Sequence, residues 1–267
     1  MELSESKHKC GLAVLVGAGP GDPALITLAG AGWLRRAQCV IYDRLANPVL
    51  LDHAPADAER IYVGKQTDRH EMTQDRINQL LVEKCLEGKL VVRLKGGDPF
   101  IFGRGGEEID ALHRAGVKFR IVPGVTAGIA AGAYAGIPLT DRRAAQTVTL
   151  ITGHEDPTKD DSAIDWASLA RLDTLVFYMG VAQLPEIADR LQAAGMSGGT
   201  PVAVIRRATT PAQKTVTGTL ATIADDVRQA GLTPPAIIIV GLVAAAGEQM
   251  AWYENLPLAG QTIIVTR

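Results

Sequence analysis

The 267-residue chain carries 27 basic and 29 acidic residues, a net charge of -2, so no global field draws it to nucleic acid or a membrane surface. Its length exceeds the usual single-domain size of about 100–200 residues, which predicts two domains. An apolar share of 47% is that of a soluble globular chain, and three cysteines (Cys10, Cys39 and Cys85) without metal-type spacing argue against a disulfide framework or a metal site.

The first apolar run follows a charged start and leads into a Gly-rich turn. It is far short of the roughly 20 residues a membrane span needs, and no small-residue cleavage site follows it. A cytoplasmic chain with reduced cysteines is expected, with neither nucleic acid nor membrane as partner. Short apolar runs then alternate with helical patterns, the mark of βα units and a largely parallel sheet, hence an α/β fold. Strands are predicted at 12–16, 40–42, 60–63, 90–94 and 119–122. Residues 73–86 form an amphipathic helix, with Ile77, Leu80, Leu81 and Cys85 on one face, Thr73 as cap and Gly88 beyond the end. A second helix, 105–115, carries Glu107 and Glu108 in its first turn, where carboxylates suit the positive end of the dipole. A Gly/Ala-rich helix covers 126–135.

The polar segment 137–146 opens on Pro138 and breaks the pattern, which places the domain junction there. The expected domains are 12–138 and 146–250. The second half restarts with strands at 148–152, 175–178, 202–205, 214–217 and 237–240, with helices near 185–194 and 220–229.

Two loops carry the chemistry. The first strand runs into GAGPGDP at 17–23, and Asp43 lies at the end of the next strand, where a dinucleotide fold keeps its ribose-binding acid. In a GxGxxG frame, however, Asp22 takes the third glycine position, and Pro20 and Pro23 lack the backbone donors a phosphate would want. A plain tight turn, an NAD site and another small-molecule cofactor site all remain open from these residues. The second loop, GGDPFIFGRGGEE at 96–108, allows a flat ligand to lie on the bare backbone of Gly96 and Gly97, with Asp98 accepting ribose hydroxyls. The alternative is an Asp-Pro turn followed by an Arg104–Glu107 pair at i, i+3.

These stretches, together with VPGVTA at 122–127 and PLTDR at 138–142, resemble the motifs of the tetrapyrrole methylase family. The extended GRGGEE form, with Thr152-Gly-His154 and Tyr178-Met-Gly180, is most similar to the uroporphyrinogen-III C-methyltransferase branch. The resemblance runs in order from about Leu12 to Val243. It implies a two-domain fold with S-adenosylmethionine in a cleft between the domains, usually in a homodimer. It also implies methylation of uroporphyrinogen III at positions 2 and 7 to give precorrin-2, on a route to sirohaem, cobalamin or haem d1. Matched motif by motif, Pro20, Gly96, Gly97, Asp98, Ile101, Thr126, Ala127, Met179, Ala208, Ala236 and Ile237 would line the cofactor site. Ala208 lies in the turn RATTPAQ at 207–213, the weaker match.

A substrate with eight carboxylates calls for arginines, whose forks match carboxylates bidentately. Arg44, Arg104, Arg142, Arg143, Arg206 and Arg207 follow strand ends or sit in the junction, where ligands of α/β sheets bind; that shared placement favours a cluster, a solvated surface charge being the alternative for each taken singly. Arg44, Arg104, Glu107, Arg142 and His154 are the expected substrate contacts, His154 having a packed strand-end histidine as its alternative. Arg104 and Asp43 are the expected catalytic residues. Arg104 would hold a substrate carboxylate, given room by Gly103 and Gly105 and oriented by Glu107. Asp43 would position the substrate, a partnered strand-end carboxylate being its alternative. No nucleophilic side chain is required, and no metal is expected.

Two departures accompany the resemblance. About a dozen residues precede the first motif, so the dehydrogenase–chelatase module of trifunctional sirohaem synthases is not expected. The run 255–267 resembles the opening strand of uroporphyrinogen-III synthase, a packed or disordered terminal strand being the alternative. The rival readings are a corrin-ring methylase or diphthine synthase, which the long GRGGEE loop disfavours, an NAD-dependent oxidoreductase, and a nucleotide sensor.

Overall fold

The computed structural model describes residues 10–64, 72–153, 164–261 and 264–265, and divides the chain into two compact units, residues 1–126 and 127–267. The sequence reading put the junction at 137–146. The structure instead counts the Gly/Ala-rich helix with the second unit, because that helix packs on two strands there.

The first unit alternates β1 (Leu12–Gly17), α1 (Leu28–Leu34), β2 (Cys39–Tyr42), β3 (Glu59–Tyr62), α2 (Gln74–Leu86), β4 (Leu90–Lys95), α3 (Gly105–Arg114) and β5 (Lys118–Val122). Its sheet has the order β3-β2-β4-β1-β5, and every pairing is parallel. Successive residues of a strand face opposite sides of a sheet. Thus Val14, Val16, Val92 and Leu94 pack with Leu34 and Leu50 on one face. Ala13, Leu15 and Val91 pack with Ile77, Leu81 and Leu112 on the other. The predicted α2 is capped as expected: the Thr73 hydroxyl accepts the Arg76 N–H, and Gly88 follows at φ +84°.

The second unit comprises α4 (Ala127–Ala135), β6 (Val148–Thr152), α5 (Trp166–Leu169), β7 (Thr174–Tyr178), α6 (Leu184–Ala193), β8 (Pro201–Arg206), β9 (Lys214–Thr219), α7 (Ile223–Gln229), β10 (Ala236–Val240) and the short α8 (Gly247–Met250). Here the expectation of parallel strands holds only for β6 with β7. The order is β6-β7-β10-β8-β9, with β10 antiparallel to both neighbours and β8 antiparallel to β9. For β8 and β9 the cause is connection length: a loop of seven residues joins them, and a parallel pair needs a crossover of a dozen or more. Phe177, Leu184, Leu191, Val204, Ile223 and Ile238 centre the core of this unit. Of the terminal run, residues 255–260 form turns, and 262–263 and 266–267 lie outside the described residues.

No helix among the described residues is long and apolar enough to cross a membrane.

Candidate functional site

In the first unit, three chain segments converge at the carboxyl ends of β1, β4 and β5. Gly97 N–H donates to Gly19 C=O at 2.7 Å, and Gly19 N–H returns to Gly97 C=O at 3.2 Å. A Cβ on Gly17 would lie 2.5 Å from Gly124 Cα, and one on Gly124 would lie 2.3 Å from Gly97 O. Only bare backbone fits such an approach. Asp98 stitches the convergence together: Oδ1 accepts the Phe100 N–H at 2.8 Å and Oδ2 the Gly124 N–H at 3.0 Å. Pro20, Gly96, Gly97, Asp98 and Ile101 are thus gathered on two cross-bridged loops. The open space imagined at Gly96 is filled by Leu45, whose Cβ would lie 2.4 Å from an added Cβ.

The first loop does not have dinucleotide geometry. Asp22 accepts the Ala24 N–H at 2.8 Å and caps a short 3₁₀ turn, Pro23–Leu25. The α-helix begins only at Leu28, capped by the Thr27 hydroxyl on Gly30 N–H. The glycines therefore do not open onto a helix N-terminus, which is what holds a pyrophosphate in the dinucleotide fold.

Beside these loops lies a charged cluster. Arg93 and Lys95 alternate on one face of β4 and are buried, as is Glu108 on α3. Glu108 Oε1 accepts Arg93 Nε at 2.9 Å and Lys95 Nζ at 2.8 Å. Arg93 Nη2 reaches Asp43 Oδ2 at 3.3 Å, and Asp43 Oδ1 accepts the Leu45 N–H at 3.0 Å. Burial, aided by the neighbouring Arg93 charge, pushes the Lys95 ammonium below its usual range, while Glu108 opposes this. Asp43, Arg44, Arg93 and Arg104 line one cavity of about 740 Å³, with Met72 and Val63 as apolar wall.

Arg104 and Glu107 form an exposed fork: Nε donates to Oε1 and Nη2 to Oε2, both at 2.7 Å. Each holds the other charged, raising the guanidinium pKa and lowering the carboxyl pKa. Arg104 takes a left-handed φ of +56°, as does Phe102 at +52°. Non-glycine residues there are strained and gather at functional loops. The glycines beside Arg104 have a different task from the one expected. A Cβ at Gly103 or Gly105 would fall 2.8 or 2.4 Å from Pro99 O, so both allow the loop to close on Pro99.

In the second unit, the ends of β7 and β8 and the start of β10 share one edge, with Tyr178 opposite Ile237 and Arg206 opposite Ala236. Met179 follows β7 at φ +55° and is half exposed. Ala208 is buried in the turn after β8, between Arg207 at φ +44° and Thr209 at φ +70°. Gly128 N–H donates to the Tyr178 hydroxyl at 2.9 Å, which brings the Ala127 end of α4 to the same edge. Ala127, Met179, Ala208, Ala236 and Ile237 are therefore neighbours within this unit. Thr126 ends the first unit and is buried.

The expected arginines divide between the units. Arg44 and Arg104 share the cavity with Arg93. Arg142 and Arg143 lie in an exposed turn, where Arg143 grips Asp141 bidentately and holds its carboxyl down at about 2. Arg206 Nε donates to Thr233 C=O at 3.1 Å. His154 lies outside the described residues. Among the described residues, no group of three or more His, Cys, Asp or Glu is placed to hold a metal ion.

Sequence reasoning missed Arg93, Lys95 and Glu108 as a unit. The available signal was two basic residues at period two in an otherwise apolar strand, a pattern that demands a buried counter-charge.

The chain matches the family model for Tetrapyrrole (Corrin/Porphyrin) Methylases over residues 13–224. It is 51% identical over 234 residues to a uroporphyrinogen-III C-methyltransferase of Priestia megaterium, covering 87% of this chain and 98% of that protein. A Bacillus subtilis protein of the same name is 48% identical over 258 residues, covering 96% of this chain and 53% of that protein. Indeed, the chain spans about half the length of most of the curated relatives it matches. Among solved structures, the uroporphyrin-III C-methyl transferase of Thermus thermophilus complexed with S-adenyl homocysteine matches with a TM-score of 0.76 and 39% identity, covering 88% of this chain and 99% of that one. The chain belongs to the tetrapyrrole (corrin/porphyrin) methylase family.

Proposed function

We propose that the chain transfers two methyl groups from S-adenosylmethionine to positions 2 and 7 of uroporphyrinogen III, giving precorrin-2. The observation that carries this reading is the 51% identity over nearly the whole of the Priestia enzyme. The Thermus relative's complex with S-adenyl homocysteine supports the cofactor.

The residues present suit that cofactor. Asp98 is partly exposed, and each of its oxygens accepts one backbone N–H, leaving lone pairs for ribose hydroxyls. Half-exposed Met179 offers a soft apolar wall. When bound, the cofactor supplies an electrophilic methyl group on sulfonium sulfur. The chain's own task is alignment and charge compensation. Arg104 spends Nε and Nη2 on Glu107, which leaves Nη1 to hold a substrate carboxylate. A permanently charged guanidinium cannot act as a base at neutral pH. Asp43, steadied by Arg93, holds the macrocycle at the cavity and is the candidate acceptor for the proton that the ring system gives up elsewhere as the methylated carbon, which bears no hydrogen, becomes quaternary. Arg44, Glu107, Arg142 and His154 complete the proposed substrate contacts.

The same reading includes a homodimer, checked by light scattering, and a cytoplasmic location, which the three free cysteines support. The deciding experiment is mass spectrometry after incubation with uroporphyrinogen III and S-adenosylmethionine. A product heavier by two CH₂ units, a methyl gained and a proton lost at each transfer, is expected. Turnover of a later corrin-ring intermediate but not of uroporphyrinogen III would replace the substrate.

A further inference from the structure

Residues well beyond the family-matched region are tied into one of the turns that the proposed function gives to the cofactor. Thr209 follows Ala208 at a φ of +70°, and Arg207 precedes it at +44°. A β-branched residue in the left-handed region persists only where its surroundings over-determine it. At Thr209 those surroundings are side chains. Its N–H donates to Gln213 Oε1 at 2.7 Å, and its C=O accepts the Tyr253 hydroxyl at 3.3 Å.

Both side chains are themselves held. Gln213 Nε2 donates to Glu254 Oε1 at 3.0 Å and to Tyr134 C=O at 3.3 Å. That pattern fixes the amide orientation, since a flip would set an NH₂ against the Thr209 N–H and a carbonyl against the carboxylate. Glu254 accepts both the N–H of Thr215, at 3.1 Å, and its hydroxyl. The Tyr253 ring packs on Tyr134 and Trp252, with centroids 4.9 and 5.5 Å apart.

We propose that Gln213, Tyr253 and Glu254 are positioning residues for the cofactor: Tyr253 and Glu254 form a C-terminal strap that, with Gln213 of the turn itself, holds the 207–210 backbone in the shape presenting Ala208, and thereby sets cofactor affinity. The inference rests on the proposed function, which places Ala208 in the cofactor site. Released from the strap, Thr209 relaxes toward ordinary backbone angles. The competent turn is then only fractionally populated, and apparent affinity falls by that fraction. The substrate contacts proposed above stand on other segments, so the tetrapyrrole KM is untouched.

The test titrates S-adenosylhomocysteine into the full chain and into its Tyr253→Phe, Gln213→Leu and Glu254→Ala variants, alongside both substrate KM values and the melting temperature. Tyr253→Phe keeps the ring packing and loses one hydroxyl. It is expected to weaken S-adenosylhomocysteine binding about three- to tenfold, the range of a single neutral hydrogen bond. Gln213→Leu and Glu254→Ala weaken it further, with the rise confined to the KM for S-adenosylmethionine. Asp173→Ala is the control: away from the strap, it strands the Gln146 and Thr147 N–H groups, which its carboxylate accepts at 2.8 and 3.0 Å, and lowers stability without changing affinity. Should Gln213→Leu fail to fold, Tyr253→Phe still decides. Unchanged affinity in Tyr253→Phe would overturn the inference, whatever happens to the melting temperature. A wild-type chain that binds no S-adenosylhomocysteine would instead remove the proposed function, and this inference with it.

Discussion

Asp98 Oδ2 accepts the Gly124 N–H at 3.0 Å, so one carboxylate ties the loop after β4 to the segment after β5. Its other oxygen organises its own loop through the Phe100 N–H. Asp98→Ala is therefore expected to lower stability as well as S-adenosylhomocysteine affinity, by about 1–3 kcal/mol for the groups left unpaired. Asp98→Asn, which keeps one acceptor, falls between. Urea unfolding with and without S-adenosylhomocysteine measures both. An alanine variant of wild-type stability would show that the tie contributes nothing.

Glu108 is fully buried and neutralises two cations through one oxygen, while Oε2 has no hydrogen-bond partner. Removing one partner of a buried ionic group strands the others and costs about 3–5 kcal/mol. Glu108→Ala should lose that much in equilibrium unfolding, and Glu108→Gln, which keeps an acceptor, should lose less. A loss below about 1 kcal/mol would place the cluster among solvated pairs.

Arg104 separates stability from turnover. Its bridge to Glu107 is exposed on both sides, and such pairs contribute about 0–1 kcal/mol. Arg104→Lys should fold and bind S-adenosylhomocysteine as wild type does, yet lose most of its turnover, because an ammonium cannot grip Glu107 through two nitrogens and still offer a third to the substrate carboxylate. Near-normal turnover in the lysine variant would reduce the role of Arg104 to charge alone.

The cysteines report on pH. Burial pushes the Cys39 thiol up to about 11 and the Cys85 thiol up to about 12, whereas Cys10 is exposed. These are acids whose folded pKa lies above the unfolded value of about 8.5. Their contribution to stability is complete below that value and is lost as pH rises toward 11–12. Iodoacetamide at pH 8 should accordingly label Cys10 alone in the native chain and all three after denaturation. Native labelling of Cys39 or Cys85, counted by mass spectrometry, would contradict the burial.

Much of the loop geometry was legible because its marks are local. Gly97 sits at φ +68° and Gly17 and Gly124 at contact distances that admit no side chain, so the glycine clusters announced close backbone approach. What they approach was less legible. The backbone beside Gly103 and Gly105 is Pro99, and the space at Gly96 belongs to Leu45.

The sequence by itself determined the βα alternation of the first unit, the Thr73 and Gly88 ends of α2, and the loops that mark the family. Hydrophobic period, capping and glycine placement all act within a few residues. Only the tertiary structure decided that β10 inserts antiparallel between β7 and β8, that Arg93 and Lys95 share Glu108, and that Gln213 answers to Glu254, 41 residues away. Strand order and buried polar pairs depend on which surfaces meet after the chain has folded. A lone charge or amide carries no periodic mark of its partner, and desolvation makes that partner necessary only once both are buried.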